Sequence, residues 1–144
     1  MQNRLPGLAF VVGLAAASIV GCAQAQTIPR KAAHLTLDGA SHTTRPAACS
    51  QDQQYRTIDL LDHGGQAVGQ VQAVVLLSGY RAIPQWVKIR DVDGFTGSFW
   101  EGGVGSAHAE VTNGVYTISG SAYGINRSNP DKVVTTGFTI SAEC

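Results

Sequence analysis

The chain has 144 residues, enough for one ordinary domain. Ten Lys and Arg residues balance ten Asp and Glu residues, and no basic run is present, so the sequence lacks the electrostatic footprint of a nucleic-acid-binding protein. The apolar fraction of 44% excludes a disordered chain, and the 17 glycines favour short strands joined by tight turns.

The N-terminal segment has the pattern of an export signal. Met1–Gly7 carries one cation, Arg4, and Leu8–Val20 is an apolar stretch of 13 residues. As a helix with a rise of about 1.5 Å per residue, this stretch reaches only about 20 Å of the roughly 30 Å hydrocarbon core. It is therefore predicted to be the hydrophobic region of a signal peptide.

The next residues indicate the kind of signal. Ile19-Val20-Gly21-Cys22 fits the lipobox order of branched apolar, small, small and cysteine. We expect residues 1–21 to be a lipoprotein signal peptide that is cleaved before Cys22, whose thiol accepts a diacylglyceryl group through a thioether. The alternative is an ordinary signal peptide that is cleaved after Ala23 or Ala25.

Residues 22–33 are predicted to form a lipidated tether, because this Ala- and Gln-rich segment lacks the periodicity of core-forming elements. One acyl chain anchors a protein marginally, whereas the two or three chains expected on Cys22 hold it permanently. The predicted location is the extracytoplasmic face of the cell membrane. Cleavage removes Arg4, which leaves a mature side-chain charge of 9 − 10 = −1.

Cys49 and Cys144 form an even pair in an exported chain, where disulfides persist. The loop between them would hold 96 residues counted inclusively. The chain-entropy model gives such a crosslink about 4–5 kcal/mol as an upper figure. Two free thiols or a metal pair are the alternatives, although neither cysteine has neighbouring ligands at zinc spacing.

Residues 34–144 are predicted to be an all-β domain, because apolar and polar residues alternate between turn sequences. Turns are expected at Asp38-Gly39, His63-Gly64-Gly65, Asp93-Gly94 and Asn113-Gly114. The spacing predicts an antiparallel β-sandwich or flattened barrel of about eight or nine short strands. The alternative is an α+β fold in which Gly65–Leu77 is helical. Ile125–Asp131 is expected to be a polar connection.

Two loop motifs do not fit a metal or phosphate site. Asp91-Val92-Asp93-Gly94 resembles the start of a calcium loop, but the twelfth position, which needs Glu, is Gly102. Gly102–Gly105 lacks the Lys-Ser/Thr ending of a phosphate loop. We expect no metal and no cofactor. The four histidines lie near predicted turns and are expected to be solvated; they are His34, His42, His63 and His108.

An enzyme is not expected. The sequence has no Gly-x-Ser-x-Gly motif, and the predicted uses of the three cysteines leave none as a nucleophile. No spacing in the sequence pairs its carboxylates, which include Asp59, Asp62, Glu101 and Glu110.

Five aromatic residues lie close together in the sequence: Tyr80, Trp86, Phe95, Phe99 and Trp100. In one interpretation, some of them belong to the core and others to strand edges. In the other, they form an aromatic patch that binds a ligand or a partner. A period of two splits them between the two faces of a sheet. It places Trp86, Lys88 and Arg90 on one side of a strand, and Val87 and Ile89 on the other.

The chain resembles the mycobacterial 19 kDa lipoprotein antigen family. The resemblance is carried by the lipobox, by Leu35–Gly39, by Cys49, and by a C-terminal block that runs from Tyr116 through Asn129-Pro130 to Phe138–Cys144. It covers nearly the whole mature chain. Two features depart from the family pattern. The tether is short and poor in Thr, and tryptophan occupies positions 86 and 100.

The resemblance implies a non-enzymatic lipoprotein of the cell envelope that serves as a surface antigen and in adhesion or interaction. It assigns lipidation to Cys22 and a disulfide to Cys49 and Cys144. The implied partners are the membrane, through the lipid on Cys22, and host receptors or envelope components. The alternative function is a carrier of lipid or of a small apolar ligand, which requires a large apolar cavity.

Overall fold

The computed structural model describes residues 30–62 and 69–144, which form ten β-strands. The strands are β1 His34–Leu37, β2 Ala40–Thr43, β3 Ala48–Asp52, β4 Tyr55–Asp62, β5 Gly69–Ser78, β6 Arg81–Val92, β7 Phe95–Trp100, β8 Ser106–Thr112, β9 Val115–Asn126 and β10 Asn129–Glu143. No helix in this part of the chain is long and apolar enough to cross a membrane. The predicted signal peptide, Cys22 and most of the tether lie outside the described residues.

All ten strands belong to one antiparallel sheet, which confirms the predicted all-β class. The strand order is β2-β1-β10-β9-β7-β6-β5-β4-β3, and β8 pairs with the part of β9 that β7 leaves free. β5 is a strand from Gly69 to Ser78, so the helical alternative is wrong over Gly69–Leu77. Residues 65–68 lie outside the described part.

The predicted hairpin turns form where two adjacent residues tolerate a positive φ. Asp38-Gly39, Asp93-Gly94 and Asn113-Gly114 have φ angles of 49° and 79°, 50° and 76°, and 50° and 77°. These are the angles of type I′ turns, whose twist matches the twist of the flanking strands. The predicted turn at His63-Gly64-Gly65 lies outside the described residues.

The predicted connection over Ile125–Asp131 is wrong. β9 continues to Asn126 and β10 begins at Asn129, so only Arg127 and Ser128 form the turn. The Asn126 Oδ1 atom accepts hydrogen bonds from the Ser128 N–H at 3.0 Å and from its hydroxyl at 2.7 Å. This local side-chain bond stabilises a tight turn, whereas the polar composition had indicated a longer loop.

The sheet curls so that its inward side chains form one apolar core. Residues 44–47 join the two edge strands, β2 and β3, and the Thr44 N–H donates to the Ala33 carbonyl at 2.9 Å. The Sγ atoms of Cys49 on β3 and Cys144 after β10 lie 2.01 Å apart, at disulfide distance. The largest fully buried side chains come from seven strands; they include Leu35, Ile58, Val75, Ile89, Phe99, Ile118 and Ile140.

The prediction that the histidines are solvated is wrong for His42. Its side chain is 11% exposed, and its two ring nitrogens contact Asp62 and Asp93. These contacts cross from β2 to the end of β4 and to the β6–β7 turn, so they depend on the curling of the sheet. His108, by contrast, is exposed on β8.

Candidate functional site

The candidate site is on the outer face of the sheet, where Trp86 of β6 and Trp100 of β7 are direct cross-strand partners. Val87, Ile89 and Phe99 alternate with them and are buried, which turns both indoles outward. The predicted division of β6 between two faces is therefore confirmed. Opposed aromatic residues on one face of an antiparallel pair lie close enough to contact each other.

Lys88 lies close to both indoles. Its Nζ atom lies 4.8 Å from the centroid of the Trp86 ring and 5.6 Å from the centroid of the Trp100 ring. Both distances are within the range of cation–π attraction, which contributes roughly 0.5–1 kcal/mol at an exposed site. Trp100 remains 48% exposed. An apolar surface and a positive charge are thus presented together.

More exposed apolar side chains continue this surface across β9 and β10. Tyr123 pairs with Ser98 of β7, Ile125 pairs with Thr96, and Val133 pairs with Ile125. Tyr123, Ile125 and Val133 are 46%, 41% and 66% exposed. We define the outer-face patch as Trp86, Lys88, Trp100, Tyr123, Ile125 and Val133. Clustered exposed apolar residues of this kind mark interaction surfaces more often than isolated ones do.

A polar strip borders the patch along β4, β5 and β6. Asp59, Gln72 and Lys88 occupy one cross-strand row, and Gln70 and Arg90 are partners in the next. The Asp59 Oδ1 atom is buried and has no hydrogen-bond partner among the described residues. The strip adds hydrogen-bonding groups beside the apolar surface, as at the rim of a protein interface.

The structure divides the five aromatic residues that the sequence placed close together. Phe95 and Phe99 are core residues, each 2% exposed, whereas Tyr80 is fully exposed in the β5–β6 turn. Only Trp86 and Trp100 contribute to the outer-face patch. Tyr123, Ile125 and Val133 were missed because cross-strand pairing, not sequence distance, brings them beside the tryptophans.

The carboxylates considered from the sequence do not converge on one reactive centre. Asp62 contacts His42, and Asp59 lies in the outer polar strip. Glu101 and Glu110 border a groove between β6 and β8. Within the described residues, no group of three or more His, Cys, Asp or Glu side chains is placed to hold a metal ion.

Comparison with known proteins relates the chain to mycobacterial lipoproteins. It is 59% identical over its full length to the "Probable lipoprotein LppE" of Mycobacterium tuberculosis strain H37Rv, and it covers all of that protein. A "Putative lipoprotein" of Mycobacterium indicus pranii is 31% identical and also fully covered, and one of Mycobacterium avium subsp. hominissuis is 28% identical with 97% covered.

Residues 26–144 match the family model described as "Mycobacterium 19 kDa lipoprotein antigen". The match spans the whole folded domain, including the strands that carry the outer-face patch. The chain therefore belongs to the Mycobacterium 19 kDa lipoprotein antigen family.

Proposed function

We propose that the protein is a non-enzymatic lipoprotein, anchored by lipid on Cys22 to the extracytoplasmic face of the cell membrane, whose outer-face patch serves adhesion or interaction. The observation that carries the proposal is the pair of outward tryptophans, Trp86 and Trp100, whose rings both lie within cation–π distance of Lys88. Membership of a lipoprotein antigen family supports the anchored location and the absence of catalysis.

The patch suits a macromolecular partner better than a small substrate. It spreads over four neighbouring strands, and its residues share the outer face of the sheet. Tryptophan is enriched among the residues that dominate binding energy at protein interfaces. Lys88 and the neighbouring Arg90 favour a partner surface that combines apolar area with acidic groups. A host receptor or another envelope component with such a surface is the proposed partner.

The test measures binding of the detergent-solubilised, full-length mature lipoprotein to a purified cell-wall preparation and to cultured macrophages. The double variant Trp86→Ala/Trp100→Ala should bind at least one of these probes tenfold more weakly or worse, since truncating a hot-spot residue costs about 2 kcal/mol or more. Circular dichroism establishes that the variant is folded. Equal binding by the variant and the natural protein to both probes would show that the patch is not the binding surface.

The matched control is Tyr55→Ala. Tyr55 is an exposed aromatic residue, 45% accessible, at the start of β4 and outside the patch. Its substitution removes one aromatic side chain whose exposure is close to the 48% of Trp100, but it should leave binding unchanged. A loss as large as that of the tryptophan variant would indicate nonspecific hydrophobic adsorption.

A second candidate function is the carriage of a lipid or a small apolar ligand. It is supported by an open groove of about 530 Å³, a volume within the range of ligand pockets. The groove is lined by Leu37, Phe95 and Val134 together with polar residues that include Asp38, Asp93 and Asn126. Uptake of a fluorescent fatty acid, blocked by Val134→Trp, would support this function over adhesion. No uptake at saturating fatty acid would remove it.

A further inference from the structure

The described part of the chain begins at one end of the sheet, beside the C-terminus. The Lys31 N–H donates to the Glu143 Oε2 atom at 3.3 Å. Glu143 pairs with Val115, the first residue of β9, and the Cys144 N–H donates to the Gly114 carbonyl at 2.9 Å. The chain that follows Cys22 therefore enters the sheet next to the β8–β9 turn.

Two other hairpin turns lie at the same end of the sheet. Tyr80 of the β5–β6 turn and Thr112, the last residue of β8, line one groove, so these two turns lie side by side. The Leu77 N–H donates to the Gln54 carbonyl at 2.7 Å, which places the β3–β4 turn next to the end of β5. We define the tether end by Lys31 and by the turns Gln53-Gln54, Gly79-Tyr80 and Asn113-Gly114.

Tyr80 has the most exposed large apolar side chain of the described residues. It occupies the tip of the β5–β6 hairpin, where Gly79 turns the chain with a φ of 59°. Val111, which is 42% exposed, borders the same groove. The tyrosine side chain has an apolar ring and a polar hydroxyl, and this combination is enriched at membrane–water interfaces. The tip of the tether end thus presents an aromatic group that suits a lipid headgroup layer.

Cationic side chains accompany Tyr80 at the tether end. Arg30, Lys31 and Arg81 are all exposed. Acidic residues at this end include Asp52 and Glu143, so the local net charge is small. The guanidinium of Arg81 follows Tyr80 directly, and its planar set of donors matches the geometry of a phosphate group.

The length of the chain before the sheet relates the tether end to the membrane. Arg30 and Cys22 are eight positions apart, so a fully extended chain separates them by at most about 29 Å. The 12 residues of β9 extend over about 36 Å from one end of the strand to the other. The Arg127 N–H donates to the Gly94 carbonyl at 2.9 Å, so the β6–β7 and β9–β10 turns meet at the opposite end, which we call the far end. A lipid on Cys22 therefore lies on the side of the tether end.

We propose that the tether end rests on the lipid headgroups of the bilayer that holds Cys22, with Tyr80 inserted among them and Arg81 beside their phosphates. This orientation rests on the lipid anchor of the proposed function and adds a second contact with the same membrane. Aromatic and cationic side chains together favour such an interfacial position. The outer-face patch, which extends from Trp86 towards Val133 near the far end, stays free to bind a partner.

The experiment places a single tryptophan at one end of the molecule or at the other. The full-length mature lipoprotein with Trp86→Phe and Trp100→Phe is reconstituted into vesicles of phosphatidylcholine and phosphatidylglycerol. One variant adds Tyr80→Trp, and the matched control adds Lys132→Trp at an exposed position of β10 near the far end. Part of the phosphatidylcholine is brominated near the start of its acyl chains and quenches tryptophan fluorescence by contact. Vesicle flotation reports whether the lipid anchor holds each protein.

We expect the brominated lipid to quench the tryptophan at position 80 at least about twofold more strongly than the tryptophan at position 132. Equal quenching at the two positions, or stronger quenching at position 132, in proteins that float with the vesicles would overturn the orientation and leave the lipid anchor standing. Proteins that do not float would overturn the anchor and the orientation with it.

A second readout keeps both natural tryptophans and so does not depend on the folding of the phenylalanine background. The photoreactive amino acid p-benzoylphenylalanine replaces Tyr80 or Lys132 in the reconstituted protein. Under ultraviolet light its ketone inserts into a C–H bond that it contacts, which forms a C–C bond and an alcohol without a leaving group. We expect a mass increase of one phospholipid at position 80 and at least about fivefold less adduct at position 132. A floating protein without adduct at position 80 would contradict the proposal.

Discussion

The Nδ1 atom of His42 lies 3.1 Å from the Oδ2 atom of Asp62 and so joins the edge strand β2 to the end of β4. The other ring nitrogen lies 2.8 Å from the Oδ2 atom of Asp93 in the β6–β7 turn. Asp62 is almost fully buried, whereas Asp93 is 55% exposed. One imidazole therefore connects three parts of the curled sheet that are distant in sequence.

Replacement of His42 by Ala should lower the free energy of unfolding by about 1.5–3 kcal/mol. This range is typical for hydrogen bonds to charged groups, and we expect the contact with the nearly buried Asp62 to contribute most of the loss. Urea denaturation of the oxidised protein, followed by tryptophan fluorescence, measures the change.

His108→Ala is the matched control for the His42 variant. His108 also contacts a carboxylate, that of Glu110, but the two side chains are 73% and 70% exposed. Exposed ion pairs contribute about 0–1 kcal/mol, so this variant should be close to the natural protein in stability. Equal destabilisation by the two variants would mean that the contacts of His42 with Asp62 and Asp93 stabilise the fold no more than an exposed ion pair does.

Gly124→Ala should destabilise the sheet at the junction of β7 and β9. Gly97 and Gly124 are cross-strand partners, and a Cβ at position 124 would collide with the Thr96 carbonyl oxygen and the Gly97 Cα atom. Both obstacles are backbone atoms and cannot rotate away. We expect a loss of about 2–3 kcal/mol in urea denaturation, as for overpacked sites.

Gly137→Ala tests whether the loss arises from the collision. The nearest atom to a Cβ at position 137 is the Gly120 carbonyl oxygen at 3.9 Å, an ordinary contact. Alanine there should be neutral or stabilise the protein by about 0.5 kcal/mol, because it restricts the unfolded chain. The packing described for the junction would be contradicted if Gly124→Ala left the free energy of unfolding unchanged and Gly137→Ala lowered it.

The parts of the fold that local sequence determines were predictable. Asp38-Gly39, Asp93-Gly94 and Asn113-Gly114 form turns because their residues accept a positive φ, whatever the distant packing. The alternation around Trp86 and Val87 likewise identified the outward and inward sides of β6. Both features depend on neighbours within a few positions of the chain.

The remaining features depend on which strands become neighbours. Tyr123 joins the outer-face patch only because β9 pairs with β7, and His42 is buried only because the sheet curls. Residue spacing along the chain does not indicate which strands pair, so the sequence predicted the tryptophan side of the patch but not its extent.

The Cys49–Cys144 bond should be detectable by mass. The Cα atoms of the two cysteines are 5.8 Å apart, as in ordinary disulfides. Intact mass after reduction should increase by the mass of two hydrogens, and the reduced protein should unfold at a lower urea concentration, since the crosslink restricts the unfolded chain. Two thiols that react with iodoacetamide before reduction would exclude the bond.

We propose that lipid on Cys22 holds this domain at the membrane surface. The direct measurement is detergent-phase partitioning with Triton X-114 of the protein expressed in a mycobacterium grown with a labelled fatty acid. The natural protein should enter the detergent phase and carry the label, whereas Cys22→Ala should lose both properties, because acyl chains supply the anchoring energy. A Cys22→Ala protein that remains labelled and membrane-bound would contradict the account.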